Sequence, residues 1–350
     1  MKQVSPLTNA VIARLLTVTV LSVFMLTACD QAPAPPSKEV KAAPPEWKSV
    51  PHWLTLPPGM KHLGGAHGDV AVSQNGDVYV SLTGGLRPGI QVYNSDGKYL
   101  RNVSDAPNDF HGFVIHKDAD GVEYIYGTQL GQGKLLKMTL DGEVVLTIPG
   151  DAIPKKYWKI NPKTKKPVLR LTACDVAPNG DIYMTDGYSS DYVHHFNAQG
   201  KYLATFGGKG EPYHFSTLHK IAIDTRFDPP RIVGVSRADG RVVHMSLDGK
   251  YLGNVATGLL MPAALIVRGD YLAVGEIKGR VTILDKKGKI YKQFAYNENA
   301  DEVGTNKTDP AKWRPGIVNA PHGVAFDPQG DLFVTEYSVF GRVLKFALVN

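Results

Sequence analysis

Histidine recurs just before alternating strand patterns along this 350-residue chain. In "APHGVAFDPQGDLFVTE", at 320–336, His322 stands directly before an alternating strand, a Pro-Gln-Gly turn and a second strand. Comparable places are held by His67, His111 and His219. Three neutral imidazoles suffice for a catalytic zinc centre that keeps a fourth position for water or substrate. The recurring histidine is therefore either a repeated hydrogen-bonded turn residue or one of a set of metal ligands.

The strands that would position these histidines form a repeating unit. Alternating apolar residues, a turn containing Gly and a second alternating run recur in "GIQVYNSDGKYLRNV", "YVHHFNAQGKYLATFG" and "RVVHMSLDGKYLGNV". This pattern is typical of a β-hairpin, because glycine supplies the positive φ of a tight turn. Four antiparallel strands in roughly forty to fifty residues describe a propeller blade. The sequence predicts an all-β fold, a six-bladed β-propeller whose inner strands open at His67, His111, Thr172, His219, Pro262 and His322.

The sixth copy of the unit ends at the C-terminus before its fourth strand. The segment "EWKSVPHWLTL" at 46–56 has the strand pattern that this copy lacks. We expect it to complete the sixth blade and close the ring, which would protect the sheet edges that an open array exposes.

The blade count places the histidines relative to one another. His111, His219 and His322 fall in blades two, four and six, so they should converge with threefold spacing around the axis. His67, in blade one, lies beside this set and is expected either to contact substrate, to add a ligand or simply to pack.

Two further residues follow second strands and should reach the same channel mouth. Tyr188 lies in "TDGYSS" of blade three, and Arg237 lies in "VSRADGR" of blade four. A tyrosine near a divalent cation can act as a base, because the positive field lowers its pKa. An arginine offers a planar fork for a carboxylate. The alternatives are a tyrosine that caps a loop and an arginine paired with Asp239.

These motifs support a family resemblance. The unit resembles the NHL repeat, and the blades together resemble peptidyl-α-hydroxyglycine α-amidating lyase (peptidylamidoglycolate lyase) over roughly residues 63–350. The similarity rests on "FHGFVI", "TLHKIAID", "SRADGRV", "APHGVAFDPQGDLFVTE" and "TDGY" with the following "SDYVHHFNAQGKYLATFGGKG".

The resemblance implies a metal-dependent lyase that cleaves the C–N bond of a carbinolamide in a small-molecule or peptide substrate. Zinc would be held by His111, His219 and His322. Tyr188 would act as the base, and Arg237 would bind the substrate.

Two departures from the family pattern bear on the site. The family has an arginine at the end of the second strand of blade one, where this chain has none; Arg87 lies a few residues on and could substitute. The family also has an aspartate after its last zinc histidine, which holds a structural calcium. Gly323 stands there instead, so calcium is not expected.

The N-terminus indicates the compartment. Residues 1–28 have the basic start and apolar run of a signal peptide. The ending Leu26-Thr27-Ala28-Cys29 resembles the bacterial lipobox, which implies lipidation of Cys29; the alternative is an ordinary signal with a chance cysteine. Asp30 favours retention in the inner membrane. The expected organisation is a signal peptide (1–28), a Pro/Ala-rich tether (29–58) and a propeller (59–350), lipid-anchored in the cell envelope and facing the periplasm.

Composition limits the classes of partner that the chain is expected to bind. The formal net charge is +6, and no dense basic helix or stacking platform is present, so no nucleic-acid partner is expected. The basic segment Pro154–Arg170 is interpreted as a solvated loop, with contact to anionic headgroups as the alternative. Cys174 is expected to be a small buried hydrophobe.

Two other functions remain open at this stage. One is a non-enzymatic, lipid-tethered module that presents the insertions at 151–170 and 297–319 to an envelope protein or glycan. The other is a propeller lactonase, whose site would hold calcium through acidic and amide side chains rather than histidines.

Overall fold

The structure, a computed structural model, describes residues 45–349. Six four-stranded antiparallel sheets follow one another along the chain, with one additional two-stranded hairpin between the second and third. In chain order, β1 spans Glu46–Val50, blade one contains β2 (Val70–Val72), β3 (Val78–Leu82), β4 (Gly89–Tyr93) and β5 (Tyr99–Asn102), and blade two contains β6 (Phe110–Lys117), β7 (Glu123–Gln129), β8 (Lys134–Thr139) and β9 (Val144–Ile148). The hairpin consists of β10 (Lys159–Ile160) and β11 (Pro167–Val168), and blade three contains β12 (Ala173–Val176), β13 (Ile182–Thr185), β14 (Tyr192–Phe196) and β15 (Tyr202–Gly207). Blade four contains β16 (Leu218–Asp224), β17 (Arg231–Ser236), β18 (Arg241–Ser246) and β19 (Tyr251–Ala256), blade five contains β20 (Pro262–Arg268), β21 (Tyr271–Glu276), β22 (Arg280–Leu284) and β23 (Ile290–Phe294), and blade six contains β24 (Pro321–Phe326), β25 (Leu332–Glu336) and β26 (Val343–Val349).

The innermost strands form a closed ring. β2, β6, β12, β16, β20 and β24 each contact the next, and β24 contacts β2. This arrangement confirms the prediction of a six-bladed β-propeller. The regular helical content of the described residues is three short 3-10 turns, at Gly150–Ala152, Lys155–Tyr157 and Pro310–Lys312.

The ring is closed by the N-terminal strand, as the sequence predicts. β1 pairs antiparallel with β26, with Glu46 opposite Val349 and Val50 opposite Lys345. Trp47 anchors β1: its ring lies 6.3 Å from that of Phe294, and its Nε1 donates a hydrogen bond to the carbonyl of Gly330 at 2.9 Å. The expected start of the propeller at residue 59 is therefore too late, because the sixth blade includes residues 46–50.

The hydrophobic core lies between neighbouring blades. Strand residues alternate, so each sheet contributes one row of side chains to the layer on either side of it. Between blades one and two, Tyr79 and Val92 pack against Phe113 and Ile125, all at most 2% exposed. Cys174 is fully buried in the next layer, as expected of a small hydrophobe.

The insertion before blade three is largely exposed, as expected of a solvated segment, but it contains a short hairpin rather than only loop. Lys159 pairs with Val168 and Ile160 pairs with Pro167 to form the β10–β11 hairpin. Trp158 Nε1 donates to the carbonyl of Ile153 at 3.1 Å. Local turn formation and packing therefore give this segment regular structure.

No helix in residues 45–349 is long and apolar enough to cross a membrane. The expected signal peptide, the lipidation site at Cys29, Asp30 and most of the tether lie outside the described residues, so those expectations stay predictions.

Candidate metal centre

Strand register shows which residues occupy equivalent positions in different blades. Phe110, Leu218 and Pro321 each pair with the last residue of the second strand of their blade. In each case the register shifts at the next residue, which is a histidine: His111, His219 and His322. A bulge re-aims the side chain of its extra residue. The same local irregularity therefore turns three histidines towards the axis from blades two, four and six.

The register also corrects two of the expected strand openings. In blade five the bulged residue is Ala263, so Ala263 rather than Pro262 is equivalent to the histidines. In blade one the equivalent residue is Gly68, since its carbonyl accepts the His322 hydrogen bond just as the Ala263 carbonyl accepts that of His219. His67 precedes this position by one residue and enters the cluster from a different backbone position.

Backbone carbonyls hold the three equivalent histidines in one tautomer. Nδ1 of His111 donates to Thr172 O at 2.7 Å, Nδ1 of His219 to Ala263 O at 2.6 Å, and Nδ1 of His322 to Gly68 O at 3.2 Å. Each acceptor is the equivalent residue of the following blade. Because Nδ1 carries the proton, the Nε2 lone pair of each ring is free to bind a cation.

The imidazoles form a compact cluster. The ring centroids of His111, His219 and His322 lie 4.8 Å apart in every pair. The His67 centroid lies 4.8 Å from His111 and 4.9 Å from His322. Ligand nitrogens of His67, His111 and His322 lie within 4.8 Å of one another. Among the described residues this is the one group of three whose ligand nitrogens lie so close; His219, an expected ligand, joins the cluster by the position of its ring and is not in that group.

The Tyr188 hydroxyl lies among these rings. It is 3.0 Å from Nε2 of His219, 3.2 Å from Nε2 of His111 and 3.3 Å from Nε2 of His67, and Arg237 Nη1 donates to it at 3.1 Å. Tyr188 and Arg237, which the sequence placed at the mouth, are thus brought together there. Asp239 pairs with Arg241 at 2.8 Å instead.

The donor set fits a divalent cation. A tyrosine hydroxyl has one proton to donate, so it can satisfy the lone pair of only one imidazole. Nε2 of His322 is buried and has no hydrogen-bond partner among the described residues. Buried polar atoms are normally paired, and an orphaned one calls for a missing partner. Several unprotonated Nε2 atoms close together are a ligand set that suits a divalent transition-metal ion.

Burial keeps the cluster uncharged. Loss of hydration holds the pKa of His111, His219 and His322 well below the usual histidine range, with neighbouring histidines and Arg237 adding repulsion. The pKa of His67 is lowered to about 4, first by burial and then by Arg237. Burial raises the pKa of Tyr188, and the Arg237 guanidinium opposes that shift.

An apolar wall lies beside the histidines, on blades five and six. Ile277 and Ala263 are buried in a small cluster, with Met261 and Tyr337 packed partly exposed against it. The Tyr337 ring lies 4.7 Å from that of His67. Tyr337 directly follows the second strand of blade six, as Arg237 does in blade four. The sequence reasoning missed it, although this repeat position was the available signal.

A buried ion pair lies directly below the histidines. Lys220 follows His219, Asp69 follows Gly68, and the Lys220 ammonium contacts the Asp69 carboxylate across the channel. A Cβ at Gly323 would lie 2.5 Å from Asp69 Oδ1, so a larger residue does not fit there without a shift. The place beneath the cluster is thus filled by a protein cation and its carboxylate.

Arg87 is not brought to the cluster. It is exposed, and its guanidinium lies 5.5 Å from the ring centroid of Tyr99 on the outermost strand of blade one. It therefore does not take the place of the arginine that the family resemblance expects at the site.

Comparison with known proteins supports the fold. No protein-family model matches the sequence, and no curated protein matches it. A solved streptogramin B lyase is 14% identical, covering 87% of this chain and 97% of its own, with a TM-score of 0.54. Virginiamycin B lyase from Staphylococcus aureus is 16% identical (87% and 100% covered, TM-score 0.53), and a gluconolactonase from Xanthomonas campestris is 14% identical (82% and 89%, TM-score 0.57). At these identities the likeness establishes the propeller fold.

Proposed function

We propose that the chain is a metal-dependent lyase that cleaves the C–N bond of a carbinolamide such as a peptidyl-α-hydroxyglycine. The observation that carries the proposal is the set of three equivalent histidines, each fixed through Nδ1 by a backbone carbonyl of the next blade. The similarity of the motifs to peptidylamidoglycolate lyase points to the same chemistry.

His111, His219 and His322 would hold the metal, with His67 as a further ligand or a substrate contact. Neutral imidazoles and an open position favour zinc. When bound, such an ion supplies Lewis-acid polarisation of a substrate oxygen and lowers the pKa of acidic groups beside it. Lys220 already supplies a cation beneath the cluster, so we do not propose calcium there.

Arg237 and the apolar wall would orient the substrate. The guanidinium offers donors in a planar fork that matches a carboxylate. On the next two blades, Met261, Ile277 and Tyr337 provide a surface for the apolar part of the substrate. An amphiphilic substrate with a carboxylate next to the carbinolamide carbon fits both sides, and fixed orientation of this kind supplies much of an enzyme's rate.

Tyr188 would accept the proton of the substrate hydroxyl. The Arg237 guanidinium at 3.1 Å stabilises the phenolate that this role requires. As the hydroxyl oxygen forms a carbonyl bond to carbon, the C–N bond breaks and the amide nitrogen takes a proton, which balances the one removed. The products are an amide and glyoxylate.

The test is metal analysis of the purified full chain together with glyoxylate release from an α-hydroxyglycine peptide. We expect stoichiometric zinc and turnover, both lost in His219→Ala. The matched control is His195→Ala, because His195 pairs with Asp181 at the other end of the blade. A metal-free wild-type protein without turnover would instead favour a binding module, and a fully active His219→Ala variant would exclude the proposed site.

A further inference from the structure

The insertion before blade three carries an unusual concentration of positive charge. Residues 154–170, here called the lysine hairpin, contain seven exposed cations and no acidic residue: Lys155, Lys156, Lys159, Lys163, Lys165, Lys166 and Arg170. None of the seven forms a salt bridge with a carboxylate of residues 45–349. Their charge is therefore available to a partner.

The hairpin displays this charge from a fixed scaffold. Leu169 is buried in the core between blades two and three, and the Tyr157 ring packs edge-on against Tyr192 at 5.2 Å. Lys155 Nζ lies 3.4 Å from the centroid of the Trp158 ring. Because the segment is already folded, little further ordering is needed when it binds.

The lysine hairpin lies on the face that holds the histidine cluster. We call this end of the propeller the mouth face: innermost strands begin there, and second and fourth strands end there. The hairpin joins the end of β9, the fourth strand of blade two, to the start of β12, the innermost strand of blade three. Both ends of the insertion are thus at the mouth face.

Large apolar side chains are also exposed in connections on this face. Leu86 is 75% exposed, Ile160 56%, Tyr296 48% and Val339 47%. Each lies in a connection at the mouth face. The other exposed large apolar side chains of the described residues lie in the far-end turn at Val122 or, less exposed than Leu86 and Ile160, along the outermost strands: Leu100, Val144, Val145, Leu203, Leu252 and Ile290. Exposed apolar tips around a cationic surface are typical of proteins that bind at a bilayer interface.

The far end of the propeller has the opposite character. Every turn there in the described residues contains an aspartate except 197–201: Asp77, Asp96, Asp118 and Asp120, Asp141, Asp181, Asp228, Asp248, Asp270, Asp285, and Asp327 with Asp331. Lysines accompany some of them, most densely at 285–289. An anionic surface would therefore attract the mouth face and be repelled by most of the far end.

We infer that the mouth face docks on a bilayer containing anionic phospholipid. The lysine hairpin supplies the electrostatic attraction, and Leu86, Ile160 and Val339 enter the headgroup region. An extended polyanion such as a nucleic acid would use the cations but would leave these apolar tips in water. The inference does not depend on the reaction at the histidine cluster.

The experiment is flotation of the full chain with vesicles of phosphatidylcholine alone and of phosphatidylcholine with phosphatidylglycerol. The quantity measured is the ratio of the two affinities, so any binding that is independent of lipid charge cancels. We expect Lys163→Gln/Lys165→Gln/Lys166→Gln to lower this ratio on the order of 100-fold at low salt, and added salt to lower it in the wild type.

The matched control is Lys286→Gln/Lys287→Gln/Lys289→Gln, which removes the same charge from an exposed turn at the far end. It should leave the ratio unchanged. Ile160→Ser should weaken binding to anionic vesicles without changing its salt dependence. Three outcomes would overturn the inference. They are equal affinity of the wild type for both vesicles, an equal fall of the affinity ratio in the control variant, and full displacement from vesicles by a DNA duplex at equal charge. Unaltered thermal unfolding shows that the variants fold.

Discussion

The Tyr188 hydroxyl and Nε2 of His219 lie 3.0 Å apart, although they belong to blades three and four. Nδ1 of His219 donates to Ala263 O, so its Nε2 can only accept, and the tyrosine must be the donor. The same hydroxyl lies beside His111 and His67. The phenol proton can bond only one of these imidazoles at a time, and the hydroxyl lies in the place where the proposed reaction needs a base.

Tyr188→Phe should therefore remove the base while leaving the metal. Loss of a general base typically lowers kcat about 10²- to 10⁴-fold. The measurement is glyoxylate release alongside zinc content. Tyr183→Phe is the control, because the Tyr183 hydroxyl donates to the carbonyl of Leu247 at the far end of the propeller, away from the histidines. Unchanged turnover in Tyr188→Phe would rule out this role.

Arg237→Gln should weaken binding of a substrate carboxylate. A hydrogen bond to a charged group contributes about 1.5–3 kcal/mol, so KM should rise roughly 10- to 150-fold. The effect should be smaller on a substrate whose carboxylate is replaced by an amide. Arg87→Gln is the control, because Arg87 lies on the outer part of blade one. An equal effect in the Arg87 variant would place the carboxylate elsewhere.

The metal-free protein should lose stability relative to its His67→Gln variant as the pH falls below about 6.5. The pKa of His67 is about 4 in the folded state, below its unfolded value, so the unfolded chain binds more protons in this window. At pH 5 the difference should be about 2 kcal/mol. Urea unfolding with a chelator at pH 7.5 and pH 5 measures it, and a difference that does not change with pH would contradict the shift.

The Lys220–Asp69 pair gives a prediction about the channel beneath the site. Lys220→Met alone leaves a buried carboxylate without its partner and should cost about 3–5 kcal/mol. The double variant with Asp69→Leu should regain much of this, since neither charge then remains. Denaturant unfolding of the two single variants and the double completes the cycle. Additive losses would mean that the two charges do not interact.

Closure of the ring by β1 can be tested with a matched pair of tryptophan variants. Trp47 is 7% exposed, packs in the core between blades five and six and holds β1 in place. Trp47→Ala should lower the free energy of unfolding by about 3–5 kcal/mol. Trp313→Ala should cost less, because Trp313 is only partly buried, beside Arg342. Equal losses in thermal or urea unfolding would mean that closure by β1 is not what Trp47 stabilises.

The sequence by itself determined the blade count, the closure by residues 46–50 and the convergence of His111, His219 and His322. These follow from local patterns, since hairpin signals define each blade and a closed ring brings equivalent positions to its axis. Tyr188 and Arg237 could be placed in the same way, as residues that follow second strands.

Only the tertiary structure decided the details of the site. A bulge moves the register by one residue, and strand side chains alternate with period two, so a one-residue difference changes where a side chain points. Alignment of the repeats could not show that Gly68 and Ala263, not His67 and Pro262, match the histidines. The Lys220–Asp69 pair joins residues 151 positions apart, and the lysine hairpin folds through packing on blades two and three. Such pairings carry no local sequence signature, because the residues that make them are distant in the chain and meet only in the folded propeller.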